Sequence, residues 1–150
     1  FGRGGEEMLA LQKAGIPFEE VPGISSAIAV PAFAGIPVTH RGVSQSVHII
    51  TGHSALSCDG LAAGMEPLAS LPGTLVFLMG LENAKFIAEK LIQEGKPEET
   101  PVAVISARAS HHPVTLRTTL NHLGSRLEEG KFPGPAVIVV GEVAKMKLLD

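Results

Sequence analysis

The sequence contains neither tryptophan nor tyrosine, and six phenylalanines bring its aromatic content to only 4%. Proteins that grip single-stranded nucleic acid stack bases on such rings, so the composition argues against that class of partner. A surplus of positive charge is lacking too. The 12 Lys and Arg are outnumbered by 15 Asp and Glu, the formal net charge is −3, and charges are mixed along the chain without an acidic or basic tail. Neither a nucleic-acid backbone nor an anionic membrane face is therefore a predicted partner. No apolar run approaches the roughly 20 residues that cross a bilayer as a helix, and the first residues show no secretory signal pattern. The single cysteine, Cys58, cannot form an internal disulfide, which makes a reducing cytoplasm the simplest setting. An initiator methionine is absent as well. The chain begins with Phe1-Gly2-Arg3-Gly4-Gly5, which looks like the middle of a glycine-rich motif, and it is read as a piece of a longer protein.

What is present is a chain of 150 residues with 45% hydrophobic content, enough for one domain with a core of its own. Glu6 to Ala14 reads as a helix that Gly15 ends. Phe18 to Val21 reads as a short strand. Ser25 is placed to cap a helix of small residues from Ser26 to Ala34, and Pro31 inside it predicts a kink or break. Ser46 to Thr51 is a β-branched apolar run, read as a buried strand, and Gly52 to Leu71 reads as irregular. Further buried strands are predicted at Thr74 to Met79, Val102 to Ile105 and Ala136 to Val140, with a fourth, exposed one at Val114 to Leu116. Amphipathic helices are predicted over Asn83 to Gln93, and from Thr118 or Thr119 to Gly130. Buried strands alternating with helices predict an α/β fold with helices covering the sheet faces. Small-molecule sites in such sheets gather at the carboxyl ends of strands. Thr51-Gly52-His53, Met79-Gly80 and Val140-Gly141 are the glycine-marked ends.

Four groups of residues are candidates for chemistry. Gly2-Arg3-Gly4-Gly5-Glu6-Glu7 pairs a glycine loop with a helix start, where free N–H groups favour anions, and Arg3 could grip a carboxylate through two hydrogen bonds. An ordinary helix entry explains the same pattern. Pro22-Gly23-Ile24-Ser25-Ser26-Ala27 leads into a helix whose small side chains admit a close ligand, or simply pack tightly. Thr39-His40-Arg41 and Gln45 form a polar loop cluster in which Arg41 is the anion anchor of choice, because its charge does not titrate away. His53, Cys58, Asp59 and His111-His112 match no standard zinc spacing, so no metal is predicted. No nucleophile elbow, phosphate loop or dinucleotide fingerprint is present. These residues alone leave an enzyme, a binding module and a structural partner domain open.

Several segments resemble one family, in its order and with its spacing. They are FGRGGEE (Phe1 to Glu7), GIPFEEVPGISSAIAVPAFAGIP (Gly15 to Pro37), VTHRGVSQSVHIITGH (Val38 to His53), GTLVFLMGL (Gly73 to Leu81), PVAVI (Pro101 to Ile105) and PAVIVVGEV (Pro135 to Val143). Together they resemble the uroporphyrinogen-III C-methyltransferases of the tetrapyrrole methylase superfamily. The resemblance implies a two-domain α/β enzyme, of which residues 1–150 are the C-terminal α/β/α domain with a mixed sheet flanked by helices. It implies transfer of two methyl groups from S-adenosyl-L-methionine to C2 and C7 of uroporphyrinogen III, leaving S-adenosyl-L-homocysteine and giving precorrin-2 for siroheme and cobalamin. It further implies a homodimer, and a piece inactive when alone. By residue, it implicates Arg3 in catalysis and substrate contact, Glu6 and Arg41 in tetrapyrrole binding, and Met79 in contact with cofactor or substrate. Ser25, Ser26, Ala136 and a position near Arg108 are assigned to the cofactor. The segment Ser106 to Val114 departs from the family pattern, with Arg108 where a small residue is common, and so does the loop from Ser54 to Leu71.

Overall fold

A computed structural model describes residues 4–53, 65–106 and 113–149. Five strands, β1 (Val47–Thr51), β2 (Thr74–Leu78), β3 (Pro101–Ser106), β4 (Val114–Thr119) and β5 (Val137–Val140), form one sheet in the order β1-β2-β5-β3-β4. β1 and β2 are parallel. β5 is antiparallel to both of its neighbours, β2 and β3, and β4 is antiparallel to β3. Among the described residues, five helices accompany the sheet: α1 (Gly4–Lys13), α2 (Ser26–Phe33), α3 (Met65–Ser70), α4 (Ala84–Gln93) and α5 (Leu120–Glu129).

The side-chain period of two along each strand divides the core into two layers. Leu75, Phe77, Val102, Val104, Ile138 and Val140 face α3, α4 and α5, where Met65, Ile87, Leu91 and Leu123 complete the packing. Val76, Leu78, Ala103, Ile105, Val137 and Val139 face the other way, against Ala27 of α2, Ile36, and the short 3-10 turn at Val143 and Ala144. The mixed, three-layer α/β architecture is the one the sequence predicts. β2, β3 and β5 are buried at every position because each has a neighbour on both sides and cover on both faces. α1 stands apart from both layers and buries no residue.

Local chemistry explains the helix ends. The Ser25 hydroxyl accepts a hydrogen bond from the Ala27 N–H at 3.2 Å and caps α2. Gly35 ends that helix with φ 66°, and its carbonyl accepts from the Leu148 N–H at 2.9 Å, which holds Leu148 beside the end of α2. Lys96, just past α4, donates its ammonium to the Ala69 carbonyl at 3.1 Å, at the end of α3. Burial there pushes the Lys96 pKa down from the ordinary lysine value.

Five expectations change. Phe18 to Val21 forms no strand, because no neighbouring strand among the described residues pairs with it. α2 runs through Pro31 without a break, with the proline itself buried. Met65–Ser70, inside the segment read as irregular, is a helix. β1 is half-buried rather than buried, because it lies at the sheet edge with a single neighbour. Val140-Gly141 is the carboxyl end of an antiparallel strand, so it lies at the opposite sheet edge from Gly52 and Gly80. There the Gly141 N–H donates to the Pro101 carbonyl at 2.9 Å.

The packing makes a direct prediction. Leu123 is fully buried, whereas Val114 on the edge strand β4 is 53% exposed. Leu123→Ala should cost about 2–5 kcal/mol of stability and Val114→Ala less than about 1 kcal/mol, both measured by urea unfolding followed by circular dichroism.

Candidate binding site at the strand ends

The strand directions bring the carboxyl ends of β1, β2 and β3 and the amino end of β5 to one edge of the sheet. Where β1 and β2 end, their backbones close on each other. The Gly52 N–H donates to the Leu78 carbonyl at 2.6 Å. A Cβ on Gly52 would collide with the Gly80 Cα and would stand 3.0 Å from the Gly80 nitrogen. Only glycine fits there. Buried Asn83 fixes the approach from the other side, donating its Nδ2 to the Gly52 carbonyl at 2.7 Å. Between these pinned residues Met79 adopts φ 56°, in the left-handed region, and its side chain is 58% exposed. A non-glycine residue held there costs about 1–3 kcal/mol and is found most often where function demands it.

Beside this junction lies a cavity of about 690 Å³, within the size range of small-molecule sites. α2 contributes Ser26 and Val30, and the end of β1 contributes His53. β2 and the 3-10 turn after it contribute Leu78, Met79, Leu81 and Glu82. Ile105 of β3 and the stretch Gly134 to Val137 close the remaining side. The walls are predominantly aliphatic, and His53 and Glu82 are the titratable side chains among the described lining residues. Such walls suit a flat heteroaromatic ring with a few polar groups at its rim. At the end of β3, one position past the Ile105↔Val137 pair, the Ser106 hydroxyl is buried and has no hydrogen-bond partner among the described residues.

Three residues assigned from the sequence, Ser26, Met79 and Ala136, meet in this cavity. Ser25 does not line it and serves as the α2 cap. Glu6 is exposed on α1 and lies outside the lining. Arg41 is exposed in a turn closed by the His40↔Ser44 bridge. The Ser44 hydroxyl is hydrogen-bonded to that of Thr74 at 2.8 Å, which ties the turn to the amino end of β2, across the sheet from the cavity. Arg3 and Arg108 lie outside the described residues, as do Cys58, Asp59 and His111-His112. Among the described residues no three His, Cys, Asp or Glu side chains are grouped to hold a metal ion, and no helix is long and apolar enough to cross a membrane. Glu82 falls outside every motif of the sequence, and Leu81 is the last residue of GTLVFLMGL, with no role of its own assigned. In the sequence His53 is both a metal-ligand candidate and part of the glycine-marked end Thr51-Gly52-His53, with no cofactor role assigned.

The family described as Tetrapyrrole (Corrin/Porphyrin) Methylases matches residues 1–124. The chain belongs to this family. The chain is 46% identical over 146 residues to the S-adenosyl-L-methionine-dependent uroporphyrinogen III methyltransferase of Methanosarcina barkeri, a match covering 97% of this chain and 57% of that protein. It is 40% identical over 147 residues to the siroheme synthase of Hahella chejuensis, covering 98% of this chain and 31% of that protein. The crystal structure of uroporphyrin-III C-methyl transferase from Thermus thermophilus, complexed with S-adenyl homocysteine, superposes with a TM-score of 0.79 at 30% identity, over 97% of this chain and 62% of that one. The chain therefore spans less than two thirds of the length of each.

The junction yields a test of its own. Gly52→Ala should destabilise the protein by about 2 kcal/mol or more through backbone collision, whereas Gly130→Ala, with open space around it, should change stability by less than about 1 kcal/mol. Met79→Gly should stay within about 1 kcal/mol of the parent, because glycine accepts the left-handed backbone. Met79→Val should be less stable than either. Thermal melting of the four variants orders them.

Proposed function

We propose that residues 1–150 are the C-terminal unit of a two-domain, S-adenosyl-L-methionine-dependent uroporphyrinogen-III C-methyltransferase, acting at C2 and C7 to yield precorrin-2. One observation carries this reading: Ser26, Met79 and Ala136, which the family resemblance assigns to the cofactor, converge on one cavity of cofactor size. The chemistry of the lining fits. Aliphatic walls accept the adenine ring, the soft thioether of Met79 suits contact with its face, and the Ser26 hydroxyl at the head of α2 supplies a hydrogen-bonding group. Bound there, S-adenosyl-L-methionine supplies an electrophilic methyl group, and S-adenosyl-L-homocysteine is the spent form.

The remaining roles concern a substrate with eight carboxylates. Arginines suit it because they stay charged and bind carboxylates through two hydrogen bonds. Arg3 orients the substrate and stabilises charge in this reading. An arginine side chain keeps its proton at ordinary pH, which makes it a poor proton acceptor. Glu6 and Arg41 meet the tetrapyrrole, and a position near Arg108 belongs to the cofactor site. The setting is the cytoplasm, the protein is a homodimer, and its product serves siroheme or cobalamin synthesis.

A second reading, in which these residues act as a binding or dimerisation module, is favoured by α1, which buries nothing, and by the exposed apolar side chains of Ile16, Phe18, Val21 and Ile24 that follow it. One assay separates the two. The full-length protein, incubated with uroporphyrinogen III and S-adenosyl-L-methionine, should develop the absorbance of precorrin-2. A preparation that binds its partners yet forms no product contradicts the methyltransferase reading. Arg41→Ala in the full-length enzyme should raise the KM for uroporphyrinogen III by about 10-fold, the loss of a charge-assisted contact. It should leave the Kd for S-adenosyl-L-homocysteine unchanged, because the Arg41 turn is tied to the sheet edge opposite the cavity. Equal weakening of both refutes the anchoring role.

A further inference from the structure

We infer that the Glu82 carboxylate reads the exocyclic amine of a purine held in the strand-end cavity, and so sets the base specificity of the methyl donor. The inference rests on the cofactor reading above and adds to it a residue and a selectivity.

The cavity wall is apolar where Leu78, Leu81, Ile105 and Val137 line it. A charged or zwitterionic part of a ligand would lose its hydration there without compensation, so the ring system is the part that enters. A ring buried among aliphatic side chains is told from others of the same shape only by the polar groups at its edge. Among the described lining residues Glu82 is the one carboxylate. It belongs to the Leu81–Asn83 turn, whose position is set by the hydrogen bond from Asn83 to the Gly52 carbonyl. The carboxylate is thus mounted on the most constrained backbone of the site. It is also uncommitted. Glu128, Glu129 and Glu142 are paired with Lys85, Arg126 and Lys145, while Glu82 forms no hydrogen bond or ion pair with any described residue.

A carboxylate only accepts hydrogen bonds. A 6-amino purine offers it two N–H donors. A 6-oxo purine offers a carbonyl at the same place, and two acceptors then face each other. A site built to bond one group rejects the analogue that lacks it. Because Glu82 is solvent-exposed, the discrimination is about 10-fold to 100-fold rather than the larger ratios of sealed sites.

The test is isothermal titration of the full-length protein with S-adenosyl-L-homocysteine and with S-inosyl-L-homocysteine, its 6-oxo counterpart. The parent should prefer the adenosyl ligand by about 10-fold or more. Glu82→Ala should bring the two Kd values to within about threefold. Glu82→Gln, whose amide can turn either its carbonyl or its NH2 to the ring, should narrow the gap while keeping tighter binding than Glu82→Ala. Unchanged preference in Glu82→Ala, or equal loss of both ligands in a variant with parental melting behaviour, overturns the inference and leaves the cofactor reading standing. Failure of the parent to bind either ligand overturns the cofactor reading itself, and this inference with it.

Discussion

The contact between the backbones of Gly52 and Gly80 is the constraint on which the site depends. Two parallel strands ordinarily splay as they leave a sheet. Here a 2.6 Å hydrogen bond from the Gly52 N–H to the Leu78 carbonyl, and the Asn83 side chain bonded to the Gly52 carbonyl, hold the two exits together. Three consequences follow. Met79 is forced into the left-handed region with its side chain outward. The Leu81–Asn83 turn starts at a fixed height above the sheet, carrying Leu81 and Glu82. His53, the residue after Gly52, comes to the cavity wall. The strain at Met79 is small beside the burial of β2, all of whose residues lie in the core.

The second constraint is strand direction. Because β5 runs against β2 and β3, its amino end meets their carboxyl ends and brings Ala136 to the cavity. A parallel β5 would have placed Gly141 there instead. The chain thus uses an antiparallel strand in the middle of the sheet to present a small residue, with little side chain in the way, at the ligand edge.

Much of the architecture was legible in the sequence because it depends on period and punctuation. The apolar runs of β2, β3 and β5, the amphipathic stripe of α4 and the Ser25 cap were read from residue types alone. Three of the five misreadings are ones that neighbours decide. Phe18 to Val21 has strand chemistry but nothing to pair with, β1 has a buried-strand composition but one neighbour, and the direction of β5 leaves no mark on its own residues. The site divides in the same way. Ser26, Met79 and Ala136 sit in segments with family motifs and line one cavity, whereas Glu82 and the buried Ser106 hydroxyl gain significance only from what surrounds them. Arg41 shows the reverse case. Its residue type named the chemistry, but the Ser44–Thr74 hydrogen bond determines which edge of the sheet it serves.

The central claim is that the adenosine part of the cofactor occupies the cavity beside the Gly52–Gly80 junction. A crystal structure of the full-length protein with S-adenosyl-L-homocysteine tests it most directly. The account predicts the adenine ring in van der Waals contact with Ile105 and Leu78, bordered by Ser26, Met79 and Ala136. Density for the nucleoside elsewhere, with this cavity empty, would contradict it.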